Sequence, residues 1–75
     1  MKTIKNFTAI IEKEDDGYVA LCPELDIASQ GNTVEEAKGN LHEAIELFFE
    51  HASKDEIDYR IKDEIFITNM QIAVG

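Results

Sequence analysis

The sequence predicts an α+β domain of order β-β-β-α-β, an antiparallel sheet with one long helix on one face. Three runs before position 31 and one after position 64 carry Ile, Val, Phe and Thr, which suit a pleated, half-buried surface. An Asp-Asp-Gly triplet at positions 15–17 separates apolar runs, as in a tight hairpin. From Val34 to Ala52 the apolar residues recur at helical rather than strand spacing.

The first strand is read from Thr3 to Lys13, with Phe7, Ala9 and Ile11 on one face and Ile4 and Ile10 on the other. Asp15-Asp16-Gly17 turns the chain, with Gly17 expected to supply a positive φ and the Asp side chains to brace the turn. Tyr18 to Cys22 returns as the second strand, and Pro23 ends it because proline has no N–H for a ladder. Pro23 to Asp26 is a turn, and Ile27 to Gln30 a third strand closed by Gly31.

Thr33 is followed three residues later by Glu36, a capping box. The Thr33 hydroxyl is expected to accept from the Glu36 N–H, and the Glu36 carboxylate to reach back to the Thr33 N–H. Val34, Ala37, Leu41, Ala44, Ile45, Phe48 and Ala52 then form one apolar stripe, and the helix ends near Ser53. Lys54 to Asp63 is polar, with Ile57, Tyr59 and Ile61 as anchors of one helical turn. Ile65 to Val74 reads as the fourth strand; Phe66, Met70, Ile72 and Val74 share a face that Thr68 interrupts.

Seventy-five residues make a single domain spanning 1–75. So short a chain buries a small share of its surface, and its usual supports are disulfides, metals or association. Cys22 is the single cysteine, which excludes an internal disulfide and suits a reducing compartment. Cys22, His42 and His51 match no zinc-ligand spacing. Association remains, and one helix covers only one sheet face. A homo-oligomer, dimer or tetramer, is therefore expected, joined by edge strands or face to face. No apolar run approaches the ~20 residues of a membrane span, and no apolar signal-peptide core follows the first residues. A cytoplasmic protein with no membrane contact is expected.

Sixteen acidic against seven basic residues give a net charge of −9. Such a domain is repelled by nucleic-acid phosphates, and its natural partners are basic surfaces. On the predicted helix Glu35, Glu36, Glu43, Glu46 and Glu50 fall opposite the apolar stripe, with Leu47 at their flank. A charged helix face is commonly only solvated, but a solubilising face mixes Lys with Glu. This one is of a single sign, which favours a binding role.

Catalytic readings fare less well. Glu12, Glu14, Asp15, Asp16, Glu24 and Asp26 cluster around two turns, where acidic residues are common for turn reasons. A two-metal nuclease would need Glu12, Glu24 or Asp26 to converge. His42 and His51 have no neighbouring nucleophile, and Cys22 sits between Leu21 and Pro23 in a packing position. Gly31-Asn32-Thr33 could hold an anion at a helix start, but Glu35 and Glu36 would repel it. No catalytic residue, metal or cofactor is expected.

Four segments carry a resemblance. Gly17-Tyr18-Val19-Ala20, Cys22-Pro23-Glu24-Leu25, Ser29-Gln30-Gly31-Asn32-Thr33, and Glu35-Glu36-Ala37 with Asn40-Leu41 and Glu43-Ala44-Ile45-Glu46 resemble the HicB antitoxin family in order and spacing. The resemblance covers positions 4 to about 50. Asp26-Ile27-Ala28 stand where the family often has Pro-Gly-Cys, and Asn32 where an Asp is common. The resemblance implies a degenerate ribonuclease-H-like fold without working catalytic carboxylates. It implies an antitoxin that sequesters HicA, a small basic ribonuclease toxin. Longer members append a DNA-binding domain, and a short member without one is expected here.

On that reading the expected partner surface joins Glu14, Asp15 and Asp16 at the hairpin tip to Glu35, Glu36, Glu43, Glu46 and Glu50 on the helix. Its apolar centre would be Tyr18, Leu25 or Leu47. Two other readings stay open: a residual metal-dependent nuclease, and a self-assembling protein without a toxin.

Overall fold

Proline at 23 and glycine at 31 bound what the sheet can pair. The computed structural model describes residues 4–62 and 64–75. Its elements are β1 (Ile10–Glu14), β2 (Gly17–Cys22), β3 (Ile27–Gly31), α1 (Val34–His51) and α2 (Lys54–Arg60). The strands form an antiparallel sheet in the order β1-β2-β3. Glu14 pairs with Gly17, so Asp15 and Asp16 are the two-residue loop of the first hairpin. Cys22 pairs with Ile27 across the Pro23–Asp26 loop. The chain is thus a small α+β domain: three antiparallel strands followed by helices.

The positive φ of the first turn belongs to Asp15, at 52°, and not to Gly17. Aspartate tolerates the left-handed region because its short side chain bonds locally. Gly17 is needed for space instead: a Cβ there would lie 2.9 Å from the Gly31 carbonyl oxygen. Gly31 is tighter still, since a Cβ would lie 2.5 Å from the backbone nitrogen of Ala37. The bare backbone of β3 is what lets α1 begin directly above the sheet.

The apolar stripe of α1 packs on β3 and β2. Ala20, Cys22, Leu25, Ala37 and Leu41 are buried, with Phe7, Ile11, Tyr18, Ile45, Phe48, Phe49 and Ile61 packed around them. Val34, placed on the stripe by its spacing, is 40% exposed, because it precedes the point where the helix meets the sheet. Phe49 lies off the stripe, yet its ring sits 5.7 Å from Phe7 and 5.3 Å from Phe48. The Asn40 side-chain amide donates to the Gln30 carbonyl at 2.8 Å and ties α1 to β3.

Three expectations are corrected. β1 begins at Ile10, not Thr3, which lies outside the described residues. Ile10 already faces Leu21, and β2 stops at Cys22, so residues 4–8 lie beyond the end of the strand they would pair with. The capping box is half formed: the Glu36 N–H donates to Thr33 Oγ1 at 3.0 Å, but the Glu36 carboxylate accepts from the Asn32 N–H at 3.1 Å. The carboxylate has reached one residue further back than expected.

The largest correction concerns the fourth strand. Residues 64–75 form no strand, so within one chain the order is β-β-β-α-α. The polar stretch before them is the helix α2, capped by the Ser53 hydroxyl, which accepts from the Glu56 N–H at 3.1 Å. Ile61 packs on the core, whereas Tyr59 is 93% exposed and anchors nothing. Arg60 reaches back to the Leu25 and Asp26 carbonyls and lies 5.6 Å from the Phe48 ring centre. The Lys62 N–H donates to the Glu24 carbonyl. The chain is thereby held at the β2–β3 turn, and α1 already fills the one face that a single helix can fill. Asp63, the expected end of the polar stretch, lies outside the described residues.

Candidate functional site

The hairpin tip and the start of α1 are brought together by the register of β2 on β3. Tyr18 pairs with Gly31, so the β1–β2 loop stands beside the loop that leads into the helix. Between them runs an open groove of about 500 Å³ lined by Glu14, Asp15, Asp16, Tyr18, Asn32 and Glu36. Gly17 and Gly31, packed so closely that a Cβ on Gly17 would meet the Gly31 carbonyl, also line it. The groove therefore combines bare peptide, one aromatic ring and carboxylates from two separate elements.

Glu35, Glu36, Glu43, Glu46 and Glu50 are all exposed on α1. Among the described residues the ion pair recorded is His42 Nδ1 to Glu46 Oε1 at 3.3 Å, between two largely exposed side chains. Such a pair contributes little. The acidic face is otherwise uncompensated by Lys or Arg within ion-pair distance among the described residues.

The eleven residues expected to meet a partner divide into three groups. Glu14, Asp15, Asp16, Tyr18 and Glu36 come together in the groove, with Glu35 beside it on the first turn of α1. Glu43, Glu46, Leu47 and Glu50 lie further along the helix; at 1.5 Å per residue Glu50 is roughly 21 Å from Glu36. Leu47 is 47% exposed and available at that end. Leu25 is not available. It is fully buried at the centre of the core, since the residues between Pro23 and Asp26 fold inward under α1 and α2. A turn position suggested exposure, but Leu25 turns into the core, where it is one of the two largest fully buried side chains. The groove's glycine floor, Asn32 and Gln30 were not expected as site residues; the signal for the floor was two glycines on paired strands.

The carboxylates weighed for metal chemistry are dispersed. Glu12, opposite Val19, lies on the sheet face turned away from α1, while Glu24 lies beyond the end of β2. Glu24 accepts from the Thr8 N–H at 3.1 and 3.2 Å and from the Thr8 hydroxyl at 2.6 Å. The Cys22 thiol donates to it at 3.4 Å. Burial works to raise the pKa of Glu24, but the Thr8 hydrogen bonds and backbone N–H groups together hold it below the ordinary carboxylate value. Burial, and then the neighbouring Glu24, push the Cys22 thiol up. The trio is a structural latch that ties the chain before β1 to the β2–β3 turn. Among the described residues no three His, Cys, Asp or Glu side chains gather as metal ligands. Among them, too, no helix is long and apolar enough to cross a membrane.

Fold and groove together define a small α+β domain with a one-signed carboxylate surface around a glycine floor. A UPF0150 protein of Helicobacter pylori is 41% identical over 66 residues, covering 87% of this chain and 92% of that protein. Two UPF0150 proteins of Synechocystis are 55% and 52% identical over 51 and 50 residues. Those matches cover 65% and 64% of this chain, and the chain spans 65% and 69% of the two relatives. The chain belongs to the UPF0150 family. No family model matches it, and no solved structure does.

Proposed function

We propose that this domain is a HicB-like antitoxin that binds a small basic HicA-like ribonuclease toxin and covers its RNA-binding face. The observation that carries the reading is the uncompensated carboxylate surface that runs from Glu14, Asp15 and Asp16 across the groove to Glu36 and on along α1. A toxin that grips RNA presents Lys and Arg spaced to meet phosphates. Carboxylates on two rigid elements offer the same sign of charge to the same side chains. Tyr18, on the groove wall, supplies an aromatic contact of the kind that dominates interface energies. The hairpin–helix arrangement is compatible with a ribonuclease-H-like ancestry in which the acidic groups bind protein rather than metal. On this reading the domain is not an enzyme, needs no cofactor, and works in the cytoplasm without touching nucleic acid.

Co-expression of this chain with a small basic HicA-like ribonuclease tests the reading. A complex that co-purifies, weakens as salt rises and restores growth to cells making the toxin is the expected result. The double variant Asp15→Lys/Glu36→Lys lowers the association rate about tenfold or more. Absence of both complex and rescue overturns the proposal.

A further inference from the structure

Two apolar surfaces are left open. The first is the sheet face turned away from α1. There Ile10, Leu21 and Ala28 stand in one row across the three strands, with Val19 in the next row. Ile10 is 37% exposed, and Val19 and Leu21 are only half-buried. The second is residues 64–75, hereafter the arm. Phe66 is 84% exposed, Met70 82%, Ile72 68% and Val74 90%. The longest dimension of the molecule is 51 Å, whereas α1, the longest element, accounts for about 27 Å of it. The radius of gyration, 14.6 Å, exceeds the roughly 11 Å of a compact chain of this length. Exposed apolar surface of this kind marks an interaction site.

The occupant follows from charge and hydrogen bonding. Positions 65–74 carry no charged residue, in a chain that is 31% charged. A membrane surface would select Lys or Arg beside the apolar side chains, and a partner chosen by charge finds nothing to read. A neutral arm is what two copies, each of net charge −9, can place between them without facing like charges. Each copy also offers the complement. β1 is an edge strand whose outer backbone groups are unpaired by the sheet, and the open row of Ile10, Leu21 and Ala28 begins beside it.

We propose that the arm of one chain adds as a strand to the β1 edge of a second copy, and that the exchange is reciprocal. In that position Phe66, Met70, Ile72 and Val74, which share one parity, extend over the open face beside Ile10. Ile65 and Ile67, of the opposite parity, fall on the side of Ile11. This accounts for apolar residues on both faces of the arm, which a strand at a solvated edge would not need. Phe66, Ile67, Met70, Ile72 and Val74 from each copy, at roughly 100–150 Å² apiece, bring the buried area to about the 1,200 Å² at which specific interfaces begin. The inference does not depend on the antitoxin reading.

Light scattering on the full chain at sub-millimolar concentration is expected to give twice the 8.5 kDa chain mass. Phe66→Asp/Ile72→Asp changes two side chains that are largely exposed in the single chain, so its circular dichroism remains that of a folded protein. It is expected to weaken association about a hundredfold, because each carboxylate would be buried in an apolar contact. In a mixture of isotopically labelled and unlabelled chains, nuclear Overhauser contacts from the arm to Ile10 and Ile11 are expected between chains. A monomeric full chain, an undiminished dimer of the double variant, or arm contacts confined to one chain overturns the proposal.

Discussion

Phe48 and Phe66 are the same residue type in the same small domain, and they meet opposite fates. Phe48 lies among Phe49, Arg60 and the buried cluster, whereas Phe66 stands 84% exposed. The helix-covered face contains Ala20, Cys22, Ala37 and Leu41 at 2% exposure or less; the arm has no residue that is fully buried. The difference lies in what each faces. α1 closes one side of a three-stranded sheet, and a helix has only one stripe to give. Among the described residues the large apolar side chains of the arm, Phe66, Met70, Ile72 and Val74, are left outside that cover. The covered face is thus where mutations unfold the protein, and the arm is where they alter its company.

That contrast can be broken or sharpened by substitution, beginning with the largest effect. Leu41→Ala removes the largest side chain that α1 buries against the sheet and is expected to cost about 3 kcal/mol in urea unfolding. Gly31→Ala is expected to cost about 2 kcal/mol or more, although it adds only one methyl group. That methyl would sit 2.5 Å from the Ala37 backbone nitrogen, and no flexible side chain can yield there. If either change were silent, α1 would not be closing the sheet as described.

Thr33→Ala removes the hydroxyl that caps α1 and is expected to cost about 1 kcal/mol. Glu24→Gln is also expected to cost about 1 kcal/mol near neutral pH, since the charged acceptor of the Thr8 bonds is lost. The sign of its pH dependence is fixed. The folded-state pKa of Glu24 is depressed, so its contribution is present above the unfolded-state value and is lost as pH falls through the lower folded-state value. The gap in unfolding midpoint between the natural chain and Glu24→Gln should therefore close only below the ordinary carboxylate range. Phe66→Ser, on the arm, is expected to shift the unfolding of a dilute sample by less than about 0.5 kcal/mol. A larger loss in dilute solution would show that the arm packs within its own chain.

Much of the local structure was legible because it is written in short-range chemistry. Asp15 and Asp16 between apolar runs, Pro23 after Cys22, and Thr33 three residues before Glu36 each place a boundary correctly. The sheet order follows from two short loops. The candidate site was legible in part: the acidic residues were visible, and the periodicity of α1 set Glu35, Glu36, Glu43, Glu46 and Glu50 on its outer face. What periodicity could not give was which carboxylates share a groove. That depends on Tyr18 pairing with Gly31, a register that joins positions thirteen residues apart. Leu25 misled because a turn position says nothing of the direction in which its side chain points.

The sequence by itself determined the two hairpin turns that order β1, β2 and β3, the Thr33 cap of α1 and the sign of the surface, since each depends on neighbours within a few positions or on composition. The tertiary structure decided that Gly31 must lack a side chain, that Leu25 is core, that Glu24 is a latch, and that the arm does not join its own sheet. These depend on distances between elements far apart in the chain, and on there being one helix for a sheet with two faces.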